Sequence, residues 1–215
     1  MHRSPNQPEP VFRKLWPVER DKLRDHLLRL GPSSRAMRFG HSVSDRFIED
    51  YCRGFDGLGT IVYGALIADV LRAAAELHLD ARPWPRAAEA AFSVEDRWQD
   101  SGLGTALMSR AIVAARNRGV AKLHMICLSD NLRMRRIALK HRARLTLTGG
   151  EIDGWLDPAT PDHLSLMREW LDDASGVMAY LMNLWPPAGG ASVPAKTAWN
   201  AICSSRPACG PRARG

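Results

Sequence analysis

The stretch QDSGLG at residues 99–104 has the residue types and spacing of an anion-binding loop. Its glycines, Gly102 and Gly104, stand directly before an amphipathic segment that predicts a helix over residues 103–117. The first N–H groups of a helix have no intrahelical partner and lie at the positive end of the helix dipole, so they favour phosphate. Glycine allows a tight turn and a close approach of ligand to backbone. The loop is therefore a candidate pyrophosphate site, with a plain strand-to-helix turn as the alternative.

Two common phosphate-binding motifs do not fit the residues around these glycines. A Walker loop needs Gly-Lys followed by Ser or Thr, and no such sequence follows the loop. The dinucleotide fingerprint needs a third glycine or alanine, where this chain has Leu107, and the loop follows three predicted strands rather than one. The loop therefore matches neither of these motifs.

The elements that must position this loop predict a mixed α/β fold with one core. Hydrophobic periodicity and turn residues predict helices at 17–30 and 42–55, with a loop over 31–45 around their junction. The later elements are predicted from the same signals: strands at 59–67, 70–79 and 87–95, a helix at 103–117, a strand at 121–128, a helix at 131–142, a hairpin of 144–148 and 151–156, and a helix at 160–185. We predict a disordered N-terminus over 1–12, a single domain over 13–185 and a flexible Pro/Gly/Arg-rich tail over 186–215.

Composition and charge narrow the classes of function. Of the formal net charge of +7, +2 lies in residues 1–14 and +4 in residues 186–215, so the predicted domain is nearly neutral. That distribution argues against a nucleic-acid-binding protein, although basic tails leave this alternative open. No apolar run approaches the roughly 20 residues of a membrane helix, and no secretory h-region is visible. The four cysteines lack metal-ligand or disulfide-framework spacing. We therefore predict a cytoplasmic protein with no membrane contact and no metal.

Four pieces of the chain, in order, resemble the GNAT superfamily of N-acetyltransferases over about residues 15–182. They are the strand AEAAFSVE, the loop QDSGLG with its helix, the strand KLHMICL, and the segment SDN that opens the next helix. The resemblance implies an α/β fold of the α+β type, with a mostly antiparallel central sheet, flanking helices and a splayed strand pair. It implies that the pantetheine of acetyl-CoA, the co-substrate, lies in that splay.

The resemblance also implies roles for individual residues. The backbone of Val94 would hold the pantetheine, and Asn131 would contact the cofactor. Asn131 is equally suited to cap the helix that follows it, and both roles are compatible. Seven residues would form the pyrophosphate site through their backbone: Gln99, Asp100, Ser101, Gly102, Leu103, Gly104 and Thr105.

Transfer of an acetyl group to an amine needs a base, and Glu89 is our candidate. It lies on a predicted strand that is otherwise almost free of charge, and such surroundings would raise the pKa of its carboxyl group. A glutamate facing water on an edge strand is the alternative. In the protein-lysine acetyltransferases of the superfamily, a glutamate at this point acts as general base. The strand and loop of this chain resemble those of the members that act on acyl-CoA synthetases. The tyrosine that usually protonates the leaving thiolate is replaced here by Ala138.

We therefore predict an N-acetyltransferase that moves an acetyl group from acetyl-CoA directly to a primary amine, of a protein lysine or of a small molecule. A non-catalytic acyl-CoA-binding regulatory protein is the alternative. On the acceptor side, Arg35, Arg38 and His41 either face an acidic acceptor or pair with neighbouring acids. The apolar stripe of the last helix packs either within the chain or against a second copy in a homodimer.

Overall fold

Seven strands and six helices are formed by the residues that the computed structural model describes, which are 8–55, 57, 59–80 and 86–184. Described residues up to Tyr180 lie in one unit, whereas the tail predicted over 186–215 lies outside the described residues. The elements are β1 (Val11–Leu15), α1 (Arg20–Arg29), α2 (Pro32–Phe39), α3 (Asp45–Arg53), β2 (Thr60–Ile67), β3 (Val70–Leu79), β4 (Arg86–Val94), α4 (Leu103–Asn117), β5 (Val120–Leu128), α5 (Leu132–Lys140), β6 (Arg144–Thr148), β7 (Glu151–Leu156) and α6 (His163–Leu184).

The strands form one sheet in the order β1-β2-β3-β4-β5-β7-β6. Every neighbouring pair is antiparallel except β4 and β5, which run parallel over only four residue pairs, the last being Glu89 with His124. Beyond that pair, β4 continues beside β3 to Val94, and β5 continues beside β7 to Leu128. The sheet therefore opens into a gap between β4 and β5. The predicted fold class, a mostly antiparallel sheet with a splayed strand pair, is confirmed.

The two faces of the sheet are covered by different helices. The larger buried cluster joins the sheet to α4 and includes Leu107 of that helix. The smaller cluster joins β2 and β3 to α1 and α3 and includes Ile48 of α3. Ala88 and Ala90 of β4 belong to the α4 cluster. Because side chains alternate along a strand, Glu89 points to the opposite face, on the side of α1–α3.

Two segments differ from the sequence-based expectations. The predicted loop over 31–45 contains α2, because Pro32 occupies the first turn of a helix, where its missing N–H costs nothing. The Gly-Pro pair inside the predicted loop therefore starts a helix. β1 begins at Val11, inside the segment predicted to be disordered, and it is held by antiparallel pairing with β2.

The predicted hairpin of β6 and β7 is confirmed. Gly149 and Gly150 have φ values of +59° and +90°, as a two-residue turn of this kind requires, and Thr148 pairs with Glu151 across it. Among the described residues, no helix combines the length and the apolar character that crossing a membrane requires.

Candidate active site

The gap between β4 and β5 exposes backbone groups that no strand pairs. The N–H of Glu95 bonds to the carbonyl oxygen of Arg72 on β3 at 3.0 Å. Because the backbone groups of a strand alternate in direction, those of Val94 and Phe92 point the other way, into the gap. This edge of β4 can therefore bind an extended ligand through its main chain.

The N-terminus of α4 presents backbone N–H groups that are able to bind an anion. Gly102 is the N-cap residue, and its carbonyl oxygen accepts the first intrahelical bond, from Ala106 N–H at 3.1 Å. The N–H groups of Leu103, Gly104 and Thr105 consequently have no partner within the helix. Gly102 has φ +88°, in the left-handed region that favours glycine, and a Cβ atom there would meet nothing within 4 Å. Open space therefore lies beside the helix N-terminus.

The side chain of Gln99 links the glycine loop to both β4 and α2 through hydrogen bonds. Its Nε2 lies 3.2 Å from the carbonyl oxygen of Val94, 3.1 Å from Ser34 Oγ on α2, and 3.1 Å from Asp96 Oδ1. Ser34 in turn donates to Asp96. The side chain of Gln99 is thus hydrogen-bonded within the protein. It fixes the loop relative to the strand whose edge borders the gap.

One cavity of about 780 Å³ joins the β4 edge, the glycine loop and α5. Eight of the nine residues that we predicted to bind the cofactor line it: Val94, Gln99, Asp100, Gly102, Leu103, Gly104, Thr105 and Asn131. The ninth, Ser101, does not line the cavity, and its hydroxyl donates to the carbonyl oxygen of Trp98. α2 borders the same cavity through residues that include Ser34 and Arg38.

α5 adds a capped N-terminus and positive charge. Oδ1 of Asn131 accepts from Met134 N–H at 3.1 Å, so this residue is the N-cap of α5. Arg133, Arg136 and Lys140 lie on the side of α5 that lines the cavity. Arg133 Nε also bonds to Asp100 Oδ2 at 2.9 Å, which ties the helix to the glycine loop. The cavity therefore combines helix N–H groups with cationic side chains, which suits a phosphorylated ligand.

Glu89 lies at the point where β4 and β5 separate, but its surroundings differ from those expected. The side chain is exposed. The expectation of an apolar environment is therefore wrong, and the reason is that α4 covers only the other face of β4. Its partner across the parallel ladder, His124, stacks on Trp155 at 4.1 Å, and His124 Nε2 lies 3.3 Å from Asp153 Oδ1.

A buried ion pair near the gap was not predicted. Glu76 of β3 is 1% exposed, and it accepts from Arg38 Nη2 at 2.7 Å and from Tyr51 Oη at 2.7 Å. Burial alone would raise the pKa of Glu76, but Arg38 and then Tyr51 hold that pKa below its ordinary value. The charge of Arg38 is therefore paired with a buried acid and not with the nearby surface acids, whereas Arg35 does pair with Asp45 at 2.5 Å. The sequence does contain a signal for this ion pair, because Glu76 lies within the apolar run AAAELHL and a buried acid needs a buried partner.

A second polar cluster fixes the end of β4. The fully buried His26 of α1 has its Nε2 at 2.9 Å from Ser93 Oγ. Glu95 accepts from Arg29 Nε at 2.7 Å and from Arg72 Nη1 at 2.9 Å. Burial alone would raise the pKa of Glu95, but His26, whose Nδ1 lies 3.5 Å from Glu95 Oε1, and the hydrogen bonds from the two arginines lower it to about 2. The cluster thus anchors the strand end that borders the cavity to both α1 and β3.

The low pKa of Glu95 predicts a pH-dependent stability. Because this pKa lies below that of an unfolded glutamate, the cluster stabilises the fold above about pH 5, and this stabilisation is lost as the pH falls from about 5 to 2. A Glu95→Gln variant is expected to have a free energy of unfolding about 2 kcal/mol below that of the native chain at pH 7. The difference should shrink at pH 3, as measured by urea denaturation. Glu151→Gln, at an exposed carboxylate, is the control, and a difference equal at both pH values would contradict the prediction.

The comparison with protein families identifies the class of protein. The family model described as the Acetyltransferase (GNAT) family matches residues 22–142, more than half of the chain. The chain therefore belongs to the GNAT family of acetyltransferases, whose co-substrate is acetyl-CoA. It is an acetyl-CoA-dependent acyltransferase. Of the two functions that the sequence left open, family membership supports the enzyme over the regulatory protein.

Solved structures share this fold at low sequence identity. The GNAT domain of PAT from S. lividans is 18% identical with a TM-score of 0.59, and the match covers 73% of this chain and 99% of that one. The yncA protein of Salmonella typhimurium, solved with its cofactor acetyl-CoA, is 18% identical with a TM-score of 0.54 and coverages of 72% and 98%. The paia N-acetyltransferase of Thermoplasma acidophilum, in complex with coenzyme A, is 16% identical with a TM-score of 0.52 and coverages of 69% and 98%. At these identities, the likeness establishes the fold alone.

Proposed function

We propose that this enzyme transfers the acetyl group of acetyl-CoA directly to a primary amine, of a protein lysine or of a small molecule, with Glu89 as the general base. One observation carries the proposal: the α4 N-terminus and the open edge of β4 meet in one cavity, and Glu89 stands where the gap begins. Such an arrangement can hold a long phosphorylated thioester at one end and deprotonate an amine at the other.

The residues of the cavity suit acetyl-CoA. The N–H groups of Leu103, Gly104 and Thr105 would bind the pyrophosphate, as helix N-termini do. The backbone N–H of Val94 would donate to a pantetheine amide, because the carbonyl oxygen of Val94 already accepts from Gln99 Nε2. Asn131 uses its Oδ1 to cap α5, so its contact with the cofactor would use the amide nitrogen. A volume of about 780 Å³ is within the range of small-molecule and cofactor sites.

The reaction that we propose removes two protons from the acceptor nitrogen, one before and one after the C–N bond forms. A neutral amine attacks the thioester carbonyl carbon, the C–N bond forms, the C–S bond breaks and coenzyme A leaves as a thiolate. Glu89 takes the first proton, from the substrate ammonium, directly or through water, and its exposure supports contact with an incoming acceptor. After the attack, the nitrogen releases its second proton to water, which balances the proton that the thiolate takes up. Ala138 is buried and offers no acid to the thiolate, so the thiolate would take its proton from water.

The acceptor would enter on the face of the sheet that carries Glu89. On β5 and β7, this face presents His124, which contacts both Asp153 and Trp155. An aromatic ring and a carboxylate are groups that bind a cationic amine before its deprotonation. We infer that the amine is recognised here, beside Glu89.

We also infer a cytoplasmic location. Among the described residues, Cys52 and Cys127 are free and buried. Free thiols are typical of a reducing compartment. Detection of the native protein in cell fractions tests this inference.

Calorimetric titration of the full chain with acetyl-CoA tests the cofactor site, with ATP and NAD as controls. We expect selective micromolar binding of acetyl-CoA, since only this ligand combines a diphosphate with a pantetheine. A panel of amines and lysine peptides then tests transfer, followed by release of the coenzyme A thiol. Binding without turnover of any amine would favour the non-catalytic alternative over our proposal.

Adding a methyl group at Gly102 is expected to weaken acetyl-CoA binding about 10-fold. A Gly102→Ala variant places its Cβ in the open space beside the α4 N-terminus, where we place the pyrophosphate. Gly119→Ala is the matched control, because Gly119 follows the other end of α4 and also has a positive φ, +65°, and open space around its Cβ position. Both variants carry a similar backbone strain. Equal weakening in the two variants, measured by calorimetry, would show that strain and not the ligand site is responsible.

A further inference from the structure

α6 turns its polar side toward the rest of the protein. Ser165 is 5% exposed and donates to Asn117 Oδ1 at 2.7 Å. Glu169 accepts from Arg118 Nη1 at 2.6 Å, from Asn117 Nδ2 at 2.7 Å and from Tyr63 Oη at 3.1 Å. Asp172 pairs with an arginine of α4 at 3.3 Å. Hydrogen bonds and ion pairs, rather than apolar burial, therefore hold this helix against α4 and β2.

The opposite side of α6 is apolar and faces solvent. Seven large apolar side chains there are 39% to 74% exposed: Leu164, Leu166, Met167, Trp170, Leu171, Val177 and Met178. Neither of the two buried clusters contains a described residue of α6. A surface helix normally buries its apolar side against the core, so the orientation of α6 is inverted. A contiguous apolar patch of this size marks an interaction site.

The spacing on this side is that of a seam between helices. Leu164, Met167, Leu171, Ala174 and Met178 follow one another at intervals of three and four residues, as the a and d positions of a heptad do. A second copy presents the same seam, and a twofold axis makes one surface complementary to itself. The exposed apolar surface is on the order of 800 Å². Each partner of a standard interface contributes about that area.

We propose that two copies of this chain form a homodimer through the apolar sides of their α6 helices. A membrane surface suits α6 less well, because helices that lie on membranes carry Lys and Arg on their polar side. The charged residues of α6 are three acids, Glu169, Asp172 and Asp173, and one base, Arg168. That acidic balance is unfavourable at an anionic lipid surface, whereas a second copy brings an uncharged surface of the same shape.

Sedimentation equilibrium of the full chain between 1 and 100 µM tests the proposal. The native chain is expected to dimerise in this range. A variant with Met167→Lys and Leu171→Lys places two charges in the seam and should raise the dimer dissociation constant at least about 100-fold. Leu147→Lys is the matched control, since Leu147 is 69% exposed on β6, away from α6. This control should dimerise like the native chain.

The seam residues are exposed in the monomer, so the double variant should retain the native free energy of unfolding and bind acetyl-CoA normally. If it does not fold, Trp170→Glu repeats the test with one change. A native chain that stays monomeric at 100 µM would overturn the proposal. Cosedimentation of a monomeric native chain with vesicles of phosphatidylcholine and phosphatidylglycerol (3:1) would assign α6 to a membrane and overturn it. Dimerisation that appears only after removal of residues 185–215 would mean that this segment covers α6, and would also overturn it.

Discussion

A Glu89→Gln variant is expected to turn over roughly 100- to 10,000-fold more slowly than the native enzyme. Glutamine keeps the shape of the side chain but cannot accept the proton of the incoming ammonium. Glu89 does not line the cavity that we assign to acetyl-CoA, so the affinity for this ligand should not change. The measurements are kcat from release of the coenzyme A thiol and Kd from calorimetric titration.

The matched control for this prediction is Glu49→Gln, which removes an exposed carboxylate from α3. It should keep native kcat and Kd, because an exposed charge away from the gap contributes little. A Glu89→Gln variant that kept native kcat would refute the assignment of the base. In that case, the proton would leave through another group at the acceptor face, and His124→Ala would be the next variant to measure.

Replacing Arg38 with leucine is expected to lower the free energy of unfolding by about 3–5 kcal/mol. The change leaves the carboxylate of Glu76 almost fully buried with no cation beside it. An unpaired charge in the protein interior is far more costly than the loss of the ion pair itself, because its desolvation is no longer offset. Urea denaturation at pH 7 measures the effect.

Two further variants make this prediction specific. Replacing both Arg38 and Glu76 with leucine should recover much of the lost stability, since no buried charge remains unpaired. Arg144→Leu breaks an exposed pair with Asp157 and should cost less than about 1 kcal/mol. A loss for Arg38→Leu as small as that for Arg144→Leu would mean that Glu76 is hydrated or protonated in the fold.

The sheet and α4 could be predicted because their signals are local. β3, α4, β6 and β7 begin and end where alternation, helical periodicity and glycines place them. α2 was missed because a Gly-Pro-Ser-Ser segment marks a turn as well as the start of a helix. β1 was missed because its stability comes from pairing with β2, far along the chain, and not from its own residues.

The residues of the candidate cofactor site could be predicted from the order of the elements. The side-chain pairs around the site could not. Eight of nine predicted residues line one cavity because the loop and β4 together determine its walls. The exposure of Glu89 depends on which helix covers which face of β4, and one strand's sequence does not contain that information. The partners Arg38 and Glu76, and likewise His26 and Ser93, are separated by 38 and 67 residues. No sequence window spans such pairs, so only the folded chain reveals them.

The gap between β4 and β5 divides the sheet into two halves that are only weakly joined. One half contains β1–β4, the other contains β5–β7, and only four residue pairs join them by hydrogen bonds. α4 contacts strands of both halves, from β2 to β5, and so supports the join that the backbone leaves weak. The helix whose N–H groups we propose to bind the pyrophosphate therefore also supports the join between the two half-sheets. A ligand bound in the gap would contact both halves where the strands do not contact each other. Ligand binding would therefore strengthen the association of the two half-sheets.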